Sequence, residues 1–165
     1  MIRTLILVLA SVFLLSSSVS AETLKHKEAK VQFEAPDDWK KSNLERGIKV
    51  ASPDDRVQAN FILLDSTDVK DATKATLTKI QEKYKGFKLD KPKEFTVNGL
   101  KGVIIKAAAE TETKKGVKLS LNFSLAYVVT PVGKVLHVQV LFPEKLAAKH
   151  MDATSKMINS IAPLK

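Results

Sequence analysis

From residue 30 onward apolar side chains recur at every second position in several short runs. A half-buried strand needs that pattern, because its successive side chains point to opposite faces of the sheet. KVQFEA (30–35) sets Val31, Phe33 and Ala35 against Lys30, Gln32 and Glu34. GIKVAS (47–52) and VQANFILL (57–64) follow, joined by SPDDR, whose proline and aspartates suit a tight turn. KEFTVN (93–98) and KGVIIKAAAE (101–110) flank Asn98-Gly99, the dipeptide that best tolerates the positive φ angles of a two-residue hairpin. KLSLNFSLAYVV (118–129) is the longest run, with Leu119, Leu121, Phe123, Leu125, Tyr127 and Val129 on one face. It is expected to pair with 101–110 across TETKKG and with KVLHVQVLF (134–142) across TPVGK. Strands 30–35 and 47–52 are expected to be antiparallel neighbours.

Two segments change period. In DATKATLTKIQEKYKGF (71–87), Thr73, Leu77, Ile80, Tyr84 and Phe87 repeat at steps of three and four, and Gly86 is placed to stop the helix. In EKLAAKHMDATSKMINSI (144–161), Ala147, Met151, Thr154, Ile158 and Ile161 form a second stripe between Pro143 and Pro163. Strands, helix, meander, helix is the order of an α+β domain: an antiparallel sheet of about six strands with helices packed on it.

Residues 1–21 stand apart. A single Arg3, the apolar run LILVLASVFLL and the small-residue end SSSVSA read as a secretory signal cleaved after Ala21. The apolar run is short for a permanent anchor, so no membrane anchor is expected after cleavage. The polar lead 22–29 (ETLKHKEA) is expected to be loosely tethered, and residues 30–165 to form one domain. The chain has no cysteine, which removes disulfides, thiolate metal sites, thiol catalysis and cysteine lipidation. Its formal net charge is +9, of which one charge lies in the leader. That surplus favours an anionic envelope component or an acidic protein face as partner.

Chemistry is sparse. Asp37-Asp38 and Asp54-Asp55 could in principle serve as acid and base or hold a hard cation. The expected pairing of 30–35 with 47–52 sends them to opposite ends, and turn chemistry explains both. Trp39 is expected to plug the end of the sheet. His26, His137 and His150 show no metal-ligand spacing, and neither a nucleophile elbow nor a phosphate-cradling glycine loop occurs. A hydrolase built from scattered Asp and His residues is the weakest reading, so no enzyme, metal or cofactor is expected. Two surface features remain as binding candidates. One is an uncharged outward patch of Ser120, Asn122, Ser124 and Ala126 joined by His137 and Gln139. The other is the lysine-rich KIQEKYKGFKLDKPK (79–93), with Lys83, Lys85 and Lys88. Its two aromatics fall on the apolar stripe, which speaks against nucleic acid.

Phe33-x-x-Pro36-x-x-Trp39, the later Asn98-Gly99 and Gly102, and the final Phe142-Pro143 before a helix closing on Ser160-Ile161 resemble the PsbP/DcrB-like superfamily. The resemblance covers residues 30–161. It implies an α/β/α sandwich with helices on both faces, and a non-enzymatic binding or assembly role without shared catalytic residues. Cover on both faces would account for the uncharged patch without a partner. The expected function is an exported accessory protein of the cell envelope that binds a protein or an envelope component. The alternative is a small-ligand or metal-binding module using a crevice beside the sheet.

Overall fold

The structure, a computed structural model, describes residues 20–112 and 116–165, the side chains of 147–149 excepted. The expected leader therefore falls almost wholly outside the described residues, as do 113–115 of the TETKKG turn. Five strands come first: β1 (Ala21–His26), β2 (Val31–Pro36), β3 (Lys40–Leu44), β4 (Gly47–Ala51) and β5 (Gln58–Leu63). Helix α1 (Val69–Lys83) precedes β6 (Lys85–Leu89), β7 (Lys93–Val97), β8 (Leu100–Glu112), β9 (Lys118–Val129) and β10 (Val135–Pro143). A 3-10 turn (Glu144–Leu146) opens into α2 (Ala147–Asn159), and β11 (Ala162–Pro163) closes the chain.

The large antiparallel sheet runs β3-β4-β5-β10-β9-β8-β6, with β7 also pairing β8, which makes eight strands rather than about six. A second, three-stranded sheet has the order β1-β2-β11. The strand at 31–36 thus pairs with β1 and β11, not with 47–51 as expected. β4 instead takes β3 and β5 as neighbours. The polar lead is not loose: it is β1, paired along its whole length with β2. His26 is buried at its end, accepting at Nδ1 from the Ala29 N–H at 3.3 Å, with Nε2 3.3 Å from the Arg46 carbonyl oxygen. Polar composition misled there because one face of a short strand and a single histidine suffice to anchor it.

The first helix also departs from expectation. Asp68 caps it, its side chain accepting from the N–H groups of Lys70 and Asp71 at 2.7 and 3.0 Å. It ends at Lys83, before Gly86, and residues 85–89 become an edge strand. Gly86 does take a positive φ of 62°, but inside β6, where the register with β8 shifts between Lys85 and Lys88. Tyr84 and Phe87 still reach the core. They meet the Phe123 ring edge-on at centroid distances of 5.0 and 5.5 Å.

The two faces of the large sheet carry separate cores. On one face α1 lies over β8 and β9, packing Ala72 and Ile80 against Ile105, Phe123, Leu125 and Tyr127. On the other, α2 and the small sheet lie over β5 and β10, packing Phe33, Met157 and Ile161 with Phe61, Val138 and Val140. Phe33 stacks on Phe61 with centroids 3.6 Å apart. The covers are offset along the sheet. They overlap where Leu125–Val128 and Val135–Val138 are buried on both sides.

Several turn positions show why their residues are needed. Val97 pairs with Leu100, so Asn98 and Gly99 form a two-residue loop with φ of 46° and 84°. Asn98 Nδ2 also donates to the Ile161 carbonyl at 2.9 Å, tying that hairpin to the end of α2. At Gly102 a Cβ would stand 2.5 Å from the Tyr127 carbonyl oxygen, a distance that only glycine avoids. Pro36 ends β2 and accepts from the Trp39 N–H at 3.1 Å, and Trp39 is buried.

Candidate functional site

The register of β9 and β10 decides what the expected uncharged patch becomes. His137 lies opposite Tyr127 and Gln139 opposite Leu125, which puts both on the α1 face. Asn122 and Ser124 lie opposite Phe142 and Val140, on the α2 face. The six-residue patch is therefore split between two sides of the sheet. A shared face would require even-numbered residues of β9 to lie opposite odd-numbered residues of β10, and the 130–134 turn sets the register one residue away from that. Ala126 is no surface residue either; it is fully buried under the small sheet and α2.

His137 belongs to the interior. Its ring stacks on Tyr127 with centroids 4.7 Å apart, and neither ring nitrogen makes a hydrogen bond of sound geometry. Burial pushes its pKa down to about 4, opposed only weakly by the Ala126 backbone and the Gln139 side chain. Burial likewise pushes the Tyr127 phenol up to about 12. Both groups stay neutral across the physiological range.

Asn122 and Ser124 have the opposite fate. α2 runs beside them rather than over them, and a crevice of about 540 Å³ opens between the helix and the strands. Its floor is β8 and β9, with Lys106, Ala108, Asn122 and Ser124 on one face; its wall is Phe142 with Met151, Thr154, Ser155 and Ile158. Lys88 and Asp90 stand at the outer edge on β6 and just beyond it. The expectation that two-sided cover hides this patch fails, because the covers are offset. A volume of this size, mostly apolar with a few convergent polar groups, is typical of ligand pockets, about 300–1,000 Å³. Of the lysines singled out in the sequence, Lys88 reaches the crevice. Lys83 and Lys85 lie around a separate shallow hollow with Glu110, Glu112 and Lys118, and the Lys83 ammonium sits 5.5 Å from the Tyr84 ring centroid. Sequence reasoning missed Lys106, Met151 and Ser155, because nothing local reveals that a helix stops short of one strand.

The paired aspartates are brought to the same end of the molecule, against expectation. β3 returns after Trp39 and pairs Lys40 with Ala51, so the 37–39 and 52–54 turns become neighbours. Asp38, Trp39, Asp54 and His150 line one small hollow of about 350 Å³. Asp54 is occupied locally: it accepts from Ser52 Oγ at 2.5 Å, the bond that chiefly lowers its pKa, and from the Arg56 N–H at 3.3 Å. Asp55, with a φ of 57°, pairs with Lys40 at 2.5 Å. Among the described residues no group of three or more His, Asp or Glu side chains could hold a metal ion. Nor, among them, is any helix long and apolar enough to cross a membrane.

No family profile and no curated relative matches the sequence. Solved structures do. The Ran-binding protein Mog1p of Saccharomyces cerevisiae superposes with a TM-score of 0.59 at 11% identity, covering 90% of this chain and 97% of that one. Cyanobacterial PsbP (CyanoP) of Synechocystis gives 0.61 at 12% identity, covering 87% and 92%. LpqN of Mycobacterium tuberculosis, described as involved in cell envelope biogenesis, gives 0.53 at 16% identity over 87% and 90%. At such identities the likeness is one of fold alone: this chain has the PsbP-like fold of these solved structures.

Proposed function

We propose that the chain is an exported accessory protein of the cell envelope that acts by binding rather than by catalysis, and that the crevice beside α2 is its binding site. In this reading residues 1–21 are removed on export and the rest works as one domain. The crevice carries the proposal. Its apolar wall, uncharged hydrogen-bonding side chains and lysines suit a bound partner, and the side chains that line it include no histidine. The structural neighbours fit: Mog1p is described as Ran-binding and LpqN as involved in envelope biogenesis.

A photo-crosslinking residue placed at Asn122 in living cells tests it. That position should label a component of the envelope fraction, whereas the same probe at Lys49, on β4 away from the crevice, should not. Equal labelling from both positions would remove the crevice as the site. Mass analysis of the exported protein should find Glu22 at its N-terminus, and an intact leader would overturn the export reading.

A further inference from the structure

The charges around the crevice specify what would fit it. Moving outward from α2 along one face of the sheet, the floor changes character in steps set by strand register. Phe142 on β10 lies nearest the helix, where Ile158 also lines the crevice. Asn122 on β9 lies opposite Phe142 on one side and Ala108 of β8 on the other, and Ser124 lies opposite Lys106. Lys88 on β6 stands opposite Ala108. With neighbouring strands about 4.8 Å apart, the apolar end and the lysine end are separated by about 10–14 Å.

Neither Lys88 nor Lys106 forms an ion pair with a described residue. Asp90 is the carboxylate among the lining residues. Its N–H donates to the Lys106 carbonyl at 2.9 Å, which seats it across from Lys106 and leaves two cations to one anion. Apolar surface, uncharged hydrogen-bonding groups and cations thus follow one another in a line. A complementary ligand has the same order, with a negative group at the far end.

We infer that the crevice takes an anion-headed amphiphile about 10–14 Å long. Its apolar end lies under α2 beside Phe142 and Ile158, and its carboxylate or phosphate monoester meets Lys88 and Lys106. This inference rests on the reading of the crevice as the binding site, but it fails separately from it.

Decanoate, decyl phosphate and decanol, titrated into the exported protein and followed by backbone amide shifts, test the assignment. The two anions should shift β9 and α2 resonances and bind about tenfold or more tightly than the alcohol, the worth of a charge-assisted contact. The double variant Lys88→Glu/Lys106→Glu should lose that margin while binding decanol as before, and Ala108→Trp should block all three. Equal affinities for decanol and decanoate, or charge reversal without effect, overturn the head-group assignment and leave the crevice standing. No shift with any probe overturns the inference, and the crosslinking result then decides the crevice itself. Vesicles of phosphatidylglycerol and phosphatidylcholine separate a bilayer lipid from a free amphiphile. Sedimentation with vesicles that Ala108→Trp abolishes supports a lipid as the source, and monomer binding without sedimentation supports a free acid. Sedimentation that Ala108→Trp leaves intact reports the basic surface at large and counts against the crevice as the lipid site.

Discussion

Asn122 and Phe123 are neighbours in sequence and opposites in surroundings. Phe123 points to the α1 face, where Tyr84 and Phe87 close over its ring and it is 2% exposed. Asn122 points to the α2 face and lines an open crevice. One strand therefore has a sealed side and an open side, while two strands away β5 has its sealed side on the α2 face through Ala59, Phe61 and Leu63. The lesson is about offset. Two helices on two faces do not make two complete layers; where one cover stops, the bare sheet becomes a place for something else.

The contrast breaks most visibly at the ring itself. Phe123→Ala should cost about 3–5 kcal/mol, since it removes a buried ring and leaves a cavity under α1. Urea unfolding at neutral pH measures it. A loss under 1 kcal/mol would mean that the α1 face is not sealed and that the two sides of β9 are alike.

His137 sharpens the same comparison through pH. Its pKa lies near 4 in the folded chain and near 6.5 when unfolded, so the unfolded state binds the extra proton first as pH falls. Stability from this group is complete above about 6.5 and declines as pH drops toward 4, by about 3 kcal/mol over that window. His137→Phe keeps the stacking on Tyr127 and cannot take up a proton. Unfolding curves of the two proteins should therefore diverge in the variant's favour between pH 6.5 and 4. Parallel curves would show that water or a hydrogen bond reaches the ring, and that the sealed face is not dry.

Much of this arrangement was legible in the residues. Alternation located the strands from 93 to 142, Asn98-Gly99 located a hairpin, and the Phe33–Trp39 pattern pointed to the right fold. Local composition could not place β1, β3 and β6, which are short, polar and at sheet edges, where half of each strand faces water. Nor could it fix register. Asn122, Ser124 and Lys88 were singled out on polarity and charge and do line one crevice, whereas His137 and Gln139 drew attention for the same reason and face the other way. A one-residue difference in a turn separates these outcomes, and no propensity records it.

Asn98 tests what holds the open side in shape. Its side chain reaches the carbonyls of Asn159 and Ile161, and its backbone occupies a left-handed conformation that alanine disfavours. Asn98→Ala should cost about 1–2 kcal/mol. Amide exchange should rise in α2 and along the crevice while α1 keeps its protection. Uniform loosening on both faces would show that the two cores are one cooperative unit rather than two offset ones.

The smallest expected effect is the most discriminating. Ser124 is half-buried on the crevice floor, makes no hydrogen bond to another described side chain, and lies between Lys106 and Val140. If that floor is kept open for a ligand, Ser124→Ala removes nothing that the fold uses. Stability should then stay within about 0.5 kcal/mol, as for a surface change, because no partner is left unsatisfied. Ser124→Leu should be tolerated almost as well, since the crevice has room for the added carbons and part of their surface leaves water. On the sealed side the same kind of enlargement, Ala107→Leu, should cost about 1–3 kcal/mol through overpacking against α1. Equal penalties for Ser124→Leu and Ala107→Leu would mean that α2 sits on the strand as tightly as α1 does. The asymmetry that defines the site would then be lost.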